Sequence, residues 1–467
     1  MSLEFNLISS ENYCTYITDG THGTHSNQET GKYLLSAKDI LDGNVHIKEN
    51  SRIISEEDFN KIHKNYKLKN YDVLLTVAGT IGRTAIIKNY QNNYTFQRSV
   101  AIFKTNDKIK SLWLYYYLNS PIGKQIIKSL SKGTTQLILP LKDLRNLKIP
   151  VPKNTSDQKK ILSILTDIDK KIDINKKINK HLEILLHSIF NYWFISFEKF
   201  SNSTFTESKL GEIPKDWRIG ILKDLLSLKK NPIKPSETNG LPYLPIDIIP
   251  MNSLGISELK SDEEANSSLI SFDKNDILIG AMRVYFHRVV ISPCSGITRS
   301  TCFVLKPKKE YYLSYLLLLC NLDQTIQYAQ NTSKGTTMPY AVWDNGLGDM
   351  DIIIPPEDIL NEFHNLVFPI IEKIRDNYNE INKLQKLRDT LLPKLMSGEI
   401  DVSKINCDFI ILMKVICYIQ CSIMEICENE NEDYFKYSKP NETLFESRAI
   451  HEINKFFVKF FERYRYC

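Results

Sequence analysis

The chain has 467 residues, 42% hydrophobic and 25% charged, the composition of a soluble globular protein long enough for more than one core. A formal charge of +5 permits nucleic-acid binding without demanding it, because a phosphate-binding face needs Lys and Arg in clusters. Nine cysteines without paired-motif spacing argue against a disulfide framework, and Met1 to Ser10 lacks a signal-peptide pattern, so a cytoplasmic protein is expected.

In chain order, short β-branched runs at Val73 to Val77, Thr84 to Lys88 and Val100 to Phe103 suit strands, and Leu112 to Leu130 suits a helix interrupted near Pro121. Ser131-Lys132-Gly133-Thr134-Thr135 follows, then Pro150 and Pro152, which end a strand. Thr155 with Gln158 makes a capping-box pattern, and from Thr155 to about Glu198 apolar residues recur at helical spacing for roughly eleven turns. A narrow seam reads Ile161, Leu165, Ile168, Ile172, Asn175, Asn179, Leu182, Leu186, Ile189 and Trp193, and it requires a partner helix. Lys159, Lys160, Lys170, Lys171, Lys176, Lys177 and Lys180 lie mostly off the seam, as a solvated face or as an electrostatic surface for DNA or a partner. Between Lys199 and Lys209 the chain turns polar and serine-rich, which marks a linker.

The rest repeats what came before. Ser131-Lys132-Gly133-Thr134-Thr135 recurs as Ser333-Lys334-Gly335-Thr336-Thr337, Asp72-Val73-Leu74-Leu75 as Asp276-Ile277-Leu278-Ile279, Arg98-Ser99 as Arg299-Ser300, and Ile149-Pro150 as Ile354-Pro355. Order and spacing agree throughout. After Pro355 and Pro356 a second long helix is expected, with Leu360, Phe363, Val367, Ile370, Ile374, Asn377, Ile381, Leu384, Leu391 and Leu395 on its apolar side. A helix of about 40 residues is about 60 Å long, so it is a spacer as well as a core element. The expected fold is α+β: globular domains over residues 1–152 and 209–355, separated by long antiparallel coiled-coil helices over 155–198 and 357–396, with a helical extension over 403–467. Asn175 or Asn179 opposite Asn377 would fix the helix register, because a slip leaves an amide unpaired against leucine.

Gly133-Thr134-Thr135, Ile149-Pro150-x-Pro152 and Gln158 opening a long helix together resemble the specificity subunit of type I restriction-modification enzymes. So do Gly211-Glu212-Ile213-Pro214-x-x-Trp217, the closing Leu391-Leu392-Pro393-Lys394-Leu395-Met396-x-Gly398-Glu399-Ile400, and Asp19-Gly20-Thr21-His22. The first unit lacks the Gly-x-x-Pro-x-x-Trp opener, and the extension exceeds the family's usual end. The resemblance implies a noncatalytic DNA-recognition subunit whose two target-recognition domains read the halves of a split double-stranded DNA sequence. It implies docking of DNA methyltransferase subunits and of a restriction/translocase subunit, with S-adenosylmethionine, ATP and magnesium on those partners and no cofactor or metal on this chain. Two heads on a rigid strut can contact base clusters about one helical turn, some 34 Å, apart.

Base reading needs Arg for guanine and Asn or Gln for adenine, with Lys and hydroxyls for phosphate. The candidates are Arg83, Arg98, Lys132, Thr134 and Thr135 in the first unit, and Arg283, His287, Arg288, Arg299, Lys334, Thr336 and Thr337 in the second. The two Ser-Lys-Gly-Thr-Thr loops either contact DNA or order the strand that follows. Ile354-Pro355-Pro356-Glu357 lacks the polar and aromatic members of an adenine-methyltransferase motif, and no phosphate-binding glycine loop occurs. Asp247 with Glu258-Leu259-Lys260 mimics the spacing of a self-contained metal-dependent restriction endonuclease, one alternative; a structural coiled-coil scaffold is another. Cys417, Cys421 and Cys427 with His451 could ligate zinc but lack a Cys-x2-Cys knuckle, and Phe409 to Ile419 is too short to span a membrane.

Overall fold

The computed structural model describes residues 3–133, 137–265 and 268–402. Thr134, Thr135, the extension 403–467 and its cysteines lie outside the described residues.

Each head is built on one antiparallel four-stranded sheet. In the first, Val100–Lys104 lies between Tyr16–Asp19 and Val73–Thr76, and Thr84–Ile86 pairs with the far side of Val73–Thr76. In the second, Cys302–Pro307 lies between Leu226–Leu228 and Ile277–Gly280, with Val289–Ile291 in the fourth place. The strands read as mostly apolar runs without alternation because both sheet faces are covered. Val73 and Leu75 enter one core with Trp113, Leu114 and Tyr117, while Leu74 enters another with Leu35, Phe59 and Ile62. The same buried carboxylate braces the turn before one strand of each sheet, the second-core strand: Val73–Thr76 in the first head and Ile277–Gly280 in the second. Asp72 accepts the Lys69 amide at 2.8 Å and pairs with Lys104; Asp276 accepts the Asp273 amide at 2.7 Å and pairs with Lys229. The outer layers differ. Lys32–Leu35 pairs with both Ile53–Ile54 and Tyr94–Phe96 in the first head, whereas Gly296–Arg299 pairs with Leu269–Phe272 and Tyr243–Leu244 in the second.

The helix expected over Leu112 to Leu130 is two, Lys108–Asn119 and Pro121–Leu130, with Ser120 capping the latter through the Gly123 amide at 3.1 Å. A two-stranded ribbon precedes each long helix: Phe5–Ser9 with Lys148–Pro152, and Arg218–Ile221 with Asp351–Ile354.

The long helices run Thr155–Phe190, extended by a π-helical turn over Asn191–Ile195, and Glu357–Ser397. They are antiparallel: Lys199 meets Glu362, Asn179 meets Asn377, and Asp169 meets Arg388. Midway, Asn377 Nδ2 donates to Asn179 Oδ1 at 2.7 Å, Asn179 Nδ2 donates to the Ile374 carbonyl at 3.2 Å, and Asn175 Nδ2 donates to Glu380 at 2.8 Å. All three asparagines are buried.

Three local expectations are corrected. The first helix is capped by Asn154, whose side chain accepts the Ser156 amide at 2.9 Å, while Gln158 turns into the core. The heads pack on the helices from the side, so the buried face is broader than a two-helix seam. It includes Ile174, Phe190, Ile371 and Leu392, while Ile168, Ile189, Ile370, Leu384 and Leu391 are only half-buried. The polar stretch after Lys199 is structured as the hairpin Phe205–Ser208 with Gly211–Pro214, anchored by Phe197, Phe200 and Phe205 around Trp217 and its neighbours.

The second helix ends at Gly398 in the left-handed conformation, φ +77, where a Cβ would stand 2.8 Å from Phe5 and 2.9 Å from Leu3. Leu392, Leu395, Met396 and Val402 complete the core of the first head. Both ends of the described chain therefore meet in one domain.

Candidate nucleic-acid interface

Strand register places the candidates. In the first head Asp19 lies opposite Ala101, Thr76 opposite Val100, and Thr84 opposite Leu75. Two strands thus end and two begin at one edge of the sheet, and the loops 20–31, 77–83 and 97–99 all leave from it. A fourth loop is stitched to them: Lys132 and Ile138 exchange backbone hydrogen bonds at 2.8 Å, and the Leu139 amide donates to the Val77 carbonyl at 2.9 Å. The Arg98 amide donates to the Thr21 carbonyl at 3.0 Å, which ties in the Asp19 to His25 loop. Arg83, Arg98 and Lys132 therefore share one rim.

The second head repeats the rim. Lys334 and Tyr340 exchange backbone hydrogen bonds at 2.9 Å, and the Ala341 amide donates to the Ala281 carbonyl at 2.9 Å. The Arg283 amide donates to the Pro339 carbonyl at 2.8 Å. In each head the segment that carries the motif's lysine, Lys132 or Lys334, thus pairs back on a later residue, Ile138 or Tyr340, beside the turn that follows the second-core strand.

The side chains have different fates. Arg98, Arg283 and Lys334 are exposed, with no side-chain partner among the described residues, and Thr336 and Thr337 are exposed beside Lys334. Lys132 is mostly exposed and pairs with Asp143 at 2.6 Å. Arg83 is half-buried, with Nη1 3.5 Å from the Ile40 carbonyl, and Arg299 is half-buried near Tyr243. Two candidates are spent within the head. Arg288 donates to the carbonyls of Ile246 and Ile249, the latter at 2.9 Å, and so braces the 246–249 turn. His287 faces inward, with Nε2 2.9 Å from the Asn321 carbonyl and Nδ1 3.2 Å from Asp323.

Sequence reasoning missed the apolar part of these rims. Leu137 and Ile138 in the first, and Tyr285, Met338 and Tyr340 in the second, are large hydrophobic side chains left in solvent beside the cations. Their neighbours in the chain gave no sign of it; only exposure identifies them. In the first rim, His22 pairs with Asp19 at 2.8 Å, and His25 lies 3.0 Å from the Thr21 hydroxyl and 3.3 Å from Asp58.

Lys260 donates to Glu264 at 2.7 Å, and that hydrogen bond holds its ammonium above the ordinary lysine range. Asp247 and Glu258 lie near enough to act on it electrostatically. Among the described residues no group of three or more His, Cys, Asp or Glu side chains is placed to hold a metal ion.

A family model described as the type I restriction modification DNA specificity domain matches residues 23–184. The chain is similar to the type I restriction enzyme MjaIX specificity subunit of Methanocaldococcus jannaschii, at 30% identity over 71% of this chain and 78% of that protein. It is also similar to the HindI specificity subunit of Haemophilus influenzae, at 21% identity over 71% of this chain and 87% of that one. The crystal structure of a type I restriction-modification S subunit from M. genitalium shares the fold, with a TM-score of 0.51 and 17% identity over 84% of this chain and 96% of that one. The duplicated sheets, the paired helices and the extent of the match to the MjaIX subunit agree: this chain belongs to the family of type I restriction enzyme specificity subunits.

Proposed function

We propose that this chain is the noncatalytic, sequence-specific DNA-binding subunit of a type I restriction-modification assembly, and that each head reads one half of a split double-stranded target. The observation that carries the proposal is the rim built twice. In both heads the loop carrying the motif's lysine is hydrogen-bonded to the turn that follows the second-core strand, each rim presents cations beside apolar groups, and an antiparallel strut holds the two apart. Helices of 36 and 41 residues are about 54 and 62 Å long, enough to hold two heads over contacts one or more DNA turns apart. The division of labour is that this chain reads, while DNA methyltransferase and restriction/translocase subunits docked on it carry S-adenosylmethionine, ATP and magnesium. No helix among the described residues is long and apolar enough to cross a membrane.

The test is genome-wide adenine methylation in a host expressing this chain with its methyltransferase subunit, compared with the methyltransferase subunit alone. A new split motif is the expected result, and exchanging residues 1–152 for those of a relative should change only one of its halves. If the two proteins co-purify and no motif appears, the reading role fails. Cleavage of DNA by the purified chain with magnesium alone would instead support a self-contained endonuclease.

A further inference from the structure

Both heads set a positive-φ residue at each end of the turn after the second-core strand, but with different residues, and the second turn is one residue longer. In the first head both are glycine: Gly79 at φ +74 and Gly82 at φ +89. In the second they are Arg283 at φ +52 and His287 at φ +49. The neighbours fix the correspondence. Ala78 and Met282, the residues just before, bridge to Ile138 and Tyr340, and Arg83 and Arg288, the residues just after, each immediately precede the next strand.

Glycine is sufficient for this turn, and a side chain is opposed there, because L-residues with a Cβ are disfavoured at positive φ. A residue that holds such a conformation needs a compensating interaction. His287 has one within the head, through Asn321 and Asp323. Arg283 has none through its side chain, which is exposed and has no partner among the described residues. Its backbone is pinned to the opposite loop through Pro339, and the same tip carries Tyr285, Met338 and Tyr340 at 46%, 50% and 48% exposure. A phosphate contact requires only charge in water. An arginine set among exposed apolar groups suits a base edge, where the guanidinium makes two parallel hydrogen bonds and the apolar neighbours exclude solvent.

We infer that Arg283 reads a guanine, through O6 and N7 in the major groove, in the half-site taken by the second head, and that the first head, with glycine at that position, has no counterpart. The inference rests on the DNA-recognition reading above.

The test uses the full chain co-produced with its methyltransferase subunit, as wild type, Arg283→Gly and Arg283→Lys, with the methylated motif mapped for each. The half that does not respond to exchange of residues 1–152 should lose discrimination at one guanine in both variants, while the other half stays fixed. Cognate duplex affinity should fall about ten- to a hundredfold, with binding of random DNA unchanged for the Lys variant. Arg283→Gly should melt at the same temperature as wild type or higher, since glycine is what the first head uses. Placing 7-deazaguanine at that position, which removes N7 and keeps O6, should weaken the wild type by a smaller factor and leave Arg283→Gly unaffected. A wild-type motif that Arg283→Gly leaves unaltered, equal weakening on every DNA, or a second half without guanine would overturn this inference alone. A wild-type assembly that directs no motif would overturn the functional reading, and this inference with it.

Discussion

The two heads share a sheet but not a way of gripping the strut. The first is held by aliphatic packing, with Ile161, Leu162 and Leu165 of one helix and Leu392, Leu395 and Met396 of the other under Trp113 and Tyr117. One polar clamp accompanies it: Asp169 accepts from the Tyr116 hydroxyl at 2.8 Å and from Arg388 at 3.0 Å. The second is held by rings. Phe194 lies 4.7 Å from Phe363, 4.9 Å from Tyr315 and 5.8 Å from Trp217, and Trp193 lies 5.4 Å from Phe363. Its clamp is Glu183, which accepts from the Ser253 hydroxyl at 2.8 Å and the Leu254 amide at 3.0 Å, while the Ser253 and Tyr378 hydroxyls are 2.9 Å apart. Gly255 is pressed so close to Tyr378 that a Cβ would fall 2.1 Å from the ring. Paired strands must match each other residue by residue, whereas a joint must only fill its volume and satisfy its polar groups, so the duplicated sheet stayed alike while the joints diverged.

The largest effect should come from breaking one joint. Phe363→Ala should destabilise by about 3–5 kcal/mol and lower hydrogen-exchange protection in the second head before the first; Leu165→Ala should do the reverse, at about 2–5 kcal/mol. Equal loss in both heads would show that the joints are not separable. Next is the first head's clamp. Arg388→Met leaves Asp169 with Tyr116 alone and should cost about 1.5–3 kcal/mol in urea unfolding, without altering the second head. The midpoint of the strut follows. Asn377→Leu leaves the Asn179 Oδ1 against leucine without its donor and should cost about 1–3 kcal/mol, whereas Asn179→Leu with Asn377→Leu should recover most of that and loosen the register, read by disulfide trapping across the helices.

The smallest effect is on pH dependence, and the second joint carries both signs of it. Burial raises the Glu183 carboxyl above its ordinary 4.5, so its contribution is complete below that value and is lost as pH rises through the elevated folded value. Glu357, at the start of the second long helix, is pushed down to about 2, chiefly by the Lys309 hydrogen bond and then by those of Tyr311 and Tyr312. Its contribution is present above 4.5 and is lost as pH falls toward 2. In a melting series, Glu183→Gln should remove the loss of stability that sets in as pH rises above 4.5 and leave the loss toward pH 2 unchanged.

Much of this was legible in the sequence, for identifiable reasons. The long helices announce themselves because apolar spacing over many turns has no other reading, and the heads because a motif repeated in order is hard to produce by chance. The buried braces Asp72 and Asp276 explain why those positions repeat. What was hidden depends on contacts distant in the chain. Glu183 reads as one more surface glutamate on a charged helix until Ser253 arrives from the other side. Arg288 and Arg283 look alike in a string of letters, and only the path of the backbone turns one inward and the other outward. The Asn154 cap is masked in the sequence by Thr155, one place later, which with Gln158 makes the more familiar pattern.

The closing of the first head by Leu392, Leu395, Met396 and Val402 also sets a timetable. The head's own sequence is finished at Pro152, where the ribbon strand beside Phe5 ends, yet part of its core is not made until the second helix has been translated. At ribosomal rates of about 5–20 residues per second, the interval is on the order of 10–50 seconds. Through that time the nascent domain presents an uncovered apolar surface, so the first half of the protein to be synthesised is among the last to be sealed.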